Sequence, residues 1–263
     1  MSLSATMETK STGEGVQPAA NVIALASGKG GVGKTFLSIS LCQALAREGH
    51  KVLLFDGDLG LANVDVQLGL VPGRDLGAVI AGKVSLKHST NRFEAGGFDI
   101  IAGRSGTASL SALPAQRLAL LRDEIMELAK DYDRLIIDLG AGVDRTVRML
   151  AAAAATVIVV TTEEPTALTD AYAFIKLAQA AGQADGLRIL INQASSKAEG
   201  ERTYATLLKA CQNFLKIEPD LAGIVRRDAK ISETIRHQTP LFTRHPNSNA
   251  AQDVTAVAGK LTA

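Results

Sequence analysis

The run Gly28-Lys29-Gly30-Gly31-Val32-Gly33-Lys34-Thr35 carries the strongest chemical signal in the chain. Its spacing is G-x-x-x-x-G-K-[ST], a pattern suited to holding the phosphates of a nucleoside triphosphate. Glycines let the backbone curl so that successive N–H groups point inward at anionic oxygens. A helix beginning at the end of such a loop adds the partial positive charge of its N-terminus. In this arrangement Lys34 would reach the β- and γ-phosphates, and the Thr35 hydroxyl would bind Mg2+. A glycine-rich turn of purely structural origin has no need of Gly-Lys-Thr at its end. A second lysine, Lys29, sits one residue into the loop and narrows the kind of nucleotide machine.

Phosphoryl transfer also needs a metal anchor and a group that places the attacking water. Leu135-Ile136-Ile137-Asp138 is an apolar strand ending in an acid. That places a carboxylate at the C-terminal edge of a sheet, where ligands of α/β folds bind, so Asp138 reads as the metal-side acid of a Walker B motif. A second apolar run, Val52 to Phe55, leads into Asp56-Gly57-Asp58. On spacing alone two readings of this pair stand. The carboxylates could share a metal's hydration shell and the water, or the segment could be a turn, because Asp and Gly both favour turns.

These residues need strands and helices to position them. The run Val22 to Ala26 predicts a buried strand before the loop. Leu37, Leu41, Ala44 and Leu45 form one helical stripe after it, with Gly49 as a C-terminal stop. Further strands are predicted at 52–55, 98–101, 135–137, 156–160, 187–191 and 222–225, with a weaker one at 240–242. Helices are predicted near 35–48, 114–130, 144–154, 166–181, 200–214, 229–237 and 248–260. Nearly continuous Val, Ile and Leu runs suit strands covered on both faces, hence a mainly parallel sheet. Residues 1–20 are rich in Ser, Thr, Gly and Glu without periodicity and read as a disordered tail. The remainder, 21–263, shows no linker and reads as one domain: an α/β three-layer sandwich around a mainly parallel twisted sheet.

Composition narrows the function classes. With 263 residues and 46% hydrophobic content a full core is available. A net charge of +1 offers no bulk attraction to nucleic acid or membrane. Cys42 and Cys211 are far apart, so neither a disulfide framework nor a C-x-x-C pair is implied. The apolar runs are strand-sized, and the N-terminus lacks the basic start and apolar stretch of a secretion signal, which points to a reducing cytoplasm. The four histidines lack metal-ligand spacing.

The loop with its extra lysine resembles the deviant Walker A motif of the MinD/ParA (SIMIBI-class) P-loop ATPases. The segment Asp56-x-Asp58-x-Gly60-Leu61-x-Asn63-x-Asp65 resembles the MinD/FlhG branch, where ParA relatives carry a proline after the second Asp. Glu164-Pro165-Thr166-Ala167-Leu168-Thr169-Asp170-Ala171-Tyr172 and the segment from Gly223 to Phe242 match the same branch, that of the FlhG/FleN regulators of flagellar number. The likeness spans about residues 21–260.

This resemblance implies an ATP-dependent homodimer with slow, partner-stimulated hydrolysis of ATP to ADP and phosphate. It assigns the phosphates to the loop backbone from Gly28 to Phe36 together with Lys34, and the metal shell to Thr35, Asp56 and Asp138. Asp58 would position water, and Lys29 would reach the partner's nucleotide across the dimer. Asn192 matches the position that recognises adenine, with Arg226 and Asp228 beside the base, and Asp138 to Gly142 would be switch II. Partners implied are a protein effector, such as a flagellar transcription regulator or an FlhF-like GTPase, and recruitment to a cell pole follows the same likeness. Two positions depart from the pattern: Leu139 replaces a small residue, and Arg226 replaces a proline. Residues 248–263 lack the bulk and charge of a membrane-binding amphipathic helix and read as a last helix packed on the sheet. The basic run Arg226, Arg227, Lys230, Arg236 and His237 could meet DNA, as in a ParA-like positioning ATPase, but a solvated helix face is favoured. An iron–sulfur role would need cysteines that neither Cys42 nor Cys211 supplies.

Overall fold

The computed structural model describes residues 17–61, 63–71, 76–103 and 113–262. Eight strands form one sheet: β1 (Ala19–Ser27), β2 (Val52–Gly57), β3 (Asn91–Phe93), β4 (Phe98–Ile101), β5 (Arg134–Ala141), β6 (Ala154–Thr161), β7 (Leu187–Ala194) and β8 (Asp220–Arg226). Their spatial order is β3-β4-β2-β5-β1-β6-β7-β8. Every pairing is parallel except that of β3 with β4. The helices are α1 (Lys34–Arg47), α2 (Val64–Leu68), α3 (Leu76–Ile80), α4 (Ala115–Ala129), α5 (Arg145–Ala151), α6 (Pro165–Ala180), α7 (Lys197–Ala210), α8 (Ala229–Arg236), α9 (Leu241–Arg244) and α10 (Asn249–Thr262).

Two apolar cores flank the sheet, which makes the three layers. In β1, Val22, Ala24 and Ala26 face one core while Ile23 and Leu25 face the other. This is the period of two expected of an extended chain buried on both sides. Helices α4, α5, α6 and α7 cover the first face; α1 and α10 cover the second. Helix α10 packs on β8 and α1 and buries Ala250, Ala251, Val254, Val257 and Ala258. This is the last helix packed on the sheet that the sequence predicts, and Val257 lies close against Gly223 of β8. No helix among the described residues is long and apolar enough to cross a membrane.

Several expectations are corrected. The predicted strand at 240–242 is the start of α9 instead. Pro240 is the N-cap with φ −59° and ψ 148°, and Leu241 and Phe242 turn into the second core. The helix predicted over 144–154 ends at Ala151, and Ala154 already belongs to β6. Helix α7 continues past Ala210 as a π-turn, Cys211–Leu215. The short elements β3, α2 and α3 were not foreseen. Of the predicted tail, residues 1–16 lie outside the described residues, and Ala19 and Ala20 are in β1.

Candidate functional site

The phosphate loop joins the end of β1 to α1, on the central strand of the sheet. Gly31 and Gly33 adopt φ +82° and +87°, a region that side-chain-bearing residues avoid. Gly28 has a different reason for being glycine: a Cβ there would collide with the backbone of Asp170 on α6, which holds the loop against that helix. Helix α1 starts without a side-chain cap, whereas α5, α7 and α8 are capped by Asp144, Ser196 and Asp228. Its first N–H groups thus point from a 14-residue helix into the curl of the loop, the arrangement that binds anions. Val32 and Phe36 are buried in the second core, so their contribution to this cradle is their backbone alone.

The acids are brought together by strand register. Asp56 on β2 and Asp138 on β5 are direct partners across the parallel pair, and both are only 1% exposed. Lys34 Nζ lies 3.3 Å from Asp138 Oδ1. The Ser38 hydroxyl donates to the same oxygen at 2.9 Å. Burial first, then the negative charge of Asp138, pushes the Asp56 carboxyl up to about 7, although the backbone N–H groups of Asp58 and Val64 favour its ionised form. Asp58 caps the turn after β2 by accepting from Leu61 N at 3.0 Å, and its carboxylate faces Gly140 at the end of β5. The Asp56–Asp58 segment is therefore both things its spacing allowed, a turn and a pair of carboxylates at the phosphate edge.

On the other side of the loop, Asn192 ends the apolar part of β7. Its Nδ2 donates to Val32 O at 2.7 Å, while its Oδ1 is buried with no hydrogen-bond partner. A buried acceptor left unpaired costs about 1–3 kcal/mol, and an exocyclic amine of a nucleobase would satisfy it. The neighbouring Gln193, at φ 55°, donates to Gly31 O at 3.2 Å. The end of β7 thus holds two consecutive carbonyls of the loop. Arg226 and Asp228 lie at the same edge, one strand further out, with their side chains engaged elsewhere. The Arg226 guanidinium grips Asp253 at 2.8 and 3.0 Å, and Asp228 caps α8 and accepts from Ala250 N.

Lys29 is on the rim. Its ammonium pairs with Glu164 Oε2 at 2.7 Å and Thr166 Oγ1 at 3.0 Å, at the start of α6. The basic run is partly consumed within the chain: Arg226 by Asp253, Lys230 by Glu233. Leu139, fully buried on β5, points into the first core. Ser38, Gln193 and the Glu164–Thr166 pair were not singled out for these contacts. For Ser38 a signal existed, since it follows Lys34 by four residues and so shares its helix face; Gln193 and Glu164 meet the loop only through tertiary folding.

Comparison with known proteins decides the family. The family model described as the CobQ/CobB/MinD/ParA nucleotide binding domain matches residues 23–241. The chain belongs to this family. The antiactivator FleN of Pseudomonas aeruginosa is 38% identical over 240 residues, covering 91% of this chain and 85% of that protein. The flagellum site-determining protein YlxH of Helicobacter pylori is 33% identical, covering 91% and 81%. The septum site-determining protein MinD of Pyrococcus horikoshii, solved with Mg-ADP, superposes with a TM-score of 0.75 at 24% identity, covering 92% of this chain and 96% of that one. This MinD/ParA-family chain is an ATPase; the glycine loop, the buried Lys34, the paired Asp56 and Asp138 and the unpartnered Asn192 Oδ1 lie along one edge of its sheet.

Proposed function

We propose that this MinD/ParA-family ATPase is an ATP-switched dimer that regulates the number or placement of a polar organelle, the flagellum first. The observation that carries the switch is the division between the loop's two lysines. Lys34 is buried against Asp138 and serves the chain's own phosphates. Lys29 is held on the rim, where its side chain can reach a second chain. It would act on the partner's nucleotide as a cation supplied in trans. The flagellar process is supported by the similarity to YlxH, whose name states a flagellar role, and by the likeness to the antiactivator FleN.

In this reading the loop N–H groups from Gly30 to Phe36 and Lys34 bind the ATP phosphates. The residues also fit magnesium: Thr35, Asp56 and Asp138 offer oxygen donors, and Mg2+ in phosphate chemistry takes one or two carboxylates besides phosphate oxygens. When bound, it would offset the charge that develops on the phosphates. Asp58 orients the attacking water. Asn192 receives the adenine amine, and the backbone of the Arg226–Asp228 segment flanks the base. Hydrolysis is slow until a protein partner completes the site; unassisted switch GTPases turn over at roughly 10⁻⁴–10⁻² per second. A transcription regulator or an FlhF-like GTPase suits that partner role. A DNA-positioning function is the weaker reading, because two of the five basic side chains between 226 and 237 are already paired.

The test is sizing with ATP and with ADP. The wild type should dimerise with ATP only, Lys34→Ala should stay monomeric without bound nucleotide, and Lys29→Ala should bind ATP yet stay monomeric. A Lys29→Ala dimer as stable as the wild type overturns the trans role. Removing the gene from its host should change flagellar number or position; unchanged flagella refute the organelle assignment.

A further inference from the structure

We infer that Ser38 is a positioning residue for Asp138: its hydroxyl keeps the buried carboxylate oriented when Lys34 is drawn away to phosphate. The inference rests on the nucleotide reading above. Lys34, Ser38 and Cys42 follow one another at four-residue spacing on α1, so they share the face turned toward β5. The Cys42 thiol is held neutral, pushed well up by burial and then by the charge of Asp138. Lys34 and Ser38 are the residues of this stripe whose side chains hydrogen-bond Asp138.

Its geometry fits that role. The side chain is fully buried. Its single proton has two acceptors in reach, the carbonyl of Lys34 at 3.1 Å and Asp138 Oδ1 at 2.9 Å. The carboxylate is the nearer and the charged one, and charge-assisted bonds are about twice as strong as neutral ones. Both contacts to Asp138 fall on Oδ1, at 2.9 Å from Ser38 and 3.3 Å from Lys34. When Lys34 turns to phosphate, the carboxylate loses its cation while Asp56 still stands beside it in register. The Ser38 hydroxyl then remains as the fixed donor that holds Asp138 in place for the cation's hydration shell. Ser40, two residues on, is also a buried serine of α1, but its hydroxyl has no hydrogen-bond partner. It supplies the matched control.

The experiment is calorimetric titration of ADP into the full chain, with Mg2+ and with chelator, alongside thermal melts. The ratio of the two affinities isolates the cation's contribution and needs no turnover. Ser38→Ala is expected to lower that ratio about 10–100-fold, the usual effect of removing a group that orients a metal ligand, while the affinity in chelator stays as in the wild type. Ser38→Cys, which keeps the volume with a weak donor, should behave alike; Ser38→Thr, which keeps the hydroxyl, should restore the ratio. Ser40→Ala should leave it unchanged. A full magnesium gain in folded Ser38→Ala or Ser38→Cys overturns the inference, and so does an equal loss in Ser40→Ala. A wild type whose ADP affinity ignores magnesium overturns the nucleotide reading itself.

Discussion

Lys34 and Lys29 stand five residues apart on one loop, yet their surroundings are opposite. Lys34 has a side chain 9% exposed, and its partner Asp138 is 1% exposed. Lys29 is 30% exposed, and its partner Glu164 is 68% exposed. The inner pair is a poor device for stability, because desolvating two charges offsets most of their attraction. It suits a site waiting for a ligand: phosphate can replace the carboxylate as the lysine's counter-ion at little extra desolvation. The outer pair is worth at most about 1 kcal/mol, so it can be exchanged for a contact with another chain. One loop thus holds a committed lysine and a releasable one.

The largest break in this comparison is Lys34→Ala. It should abolish turnover and weaken ATP binding by ~100-fold or more, since charge-assisted hydrogen bonds to phosphate contribute about 1.5–3 kcal/mol each. Fluorescent nucleotide titration checks it; retained affinity removes Lys34 from the phosphate site. Next is Asp58→Ala. ATP binding and ATP-dependent dimerisation should persist while kcat falls about 10²–10⁴-fold, the usual range for a lost water-activating group. Normal hydrolysis would show that Asp58 merely caps the turn to Leu61.

The inner half of this site was legible in the sequence, and the outer half was not. Glycine spacing, the terminal lysine and two apolar strands ending in Asp are local signals, and buried parallel strands write themselves as apolar runs. The register that sets Asp56 beside Asp138 belongs to the pairing of β2 with β5 and is written in neither strand alone. The contact of Lys29 with Glu164 spans 135 residues and leaves no local trace. The same limit explains the missed elements. Helices α2 and α3 have five residues each and β3 has three, too few for a period to emerge. Pro240-Leu241-Phe242 is apolar enough for a strand, but three residues cannot separate a strand from one buried helical turn.

A third perturbation compares a buried acid elsewhere on the same edge. Asp253 is 2% exposed. Burial opposes its ionisation, but the Arg226 guanidinium and backbone N–H, with Lys197 nearby, hold its carboxyl below the ordinary 3.8. Arg226→Ala should cost about 3 kcal/mol, because it takes the nearer of two cations away from a buried carboxylate. The folded carboxyl titrates below the unfolded one, so the pair's contribution is complete above about pH 4 and falls away as pH drops through the folded value. The gap between wild-type and Arg226→Ala melting temperatures should accordingly be widest near neutral pH and shrink in acid. A pH-independent gap would assign the loss to packing of the Arg226 stem.

The smallest expected effect on stability falls on the rim. Glu164→Gln keeps the shape and the hydrogen-bonding capacity of the side chain but removes the charge that holds Lys29. An exposed pair of this kind contributes about 0.2–1 kcal/mol, so the melting temperature should hardly move, and added salt should erase what difference there is. Nucleotide affinity of the monomer should be unchanged, because the inner pocket is intact. The readout that moves is association. Lys29 no longer has to leave a carboxylate of its own chain, so the ATP dimer of Glu164→Gln should form at lower protein concentration than that of the wild type, by up to about thirtyfold if each of the two rim pairs releases about 1 kcal/mol. If Glu164 instead completes the dimer contact from its exposed position, the same substitution weakens the dimer. The sign of one sizing experiment therefore decides whether the rim pair holds Lys29 back or belongs to the interface.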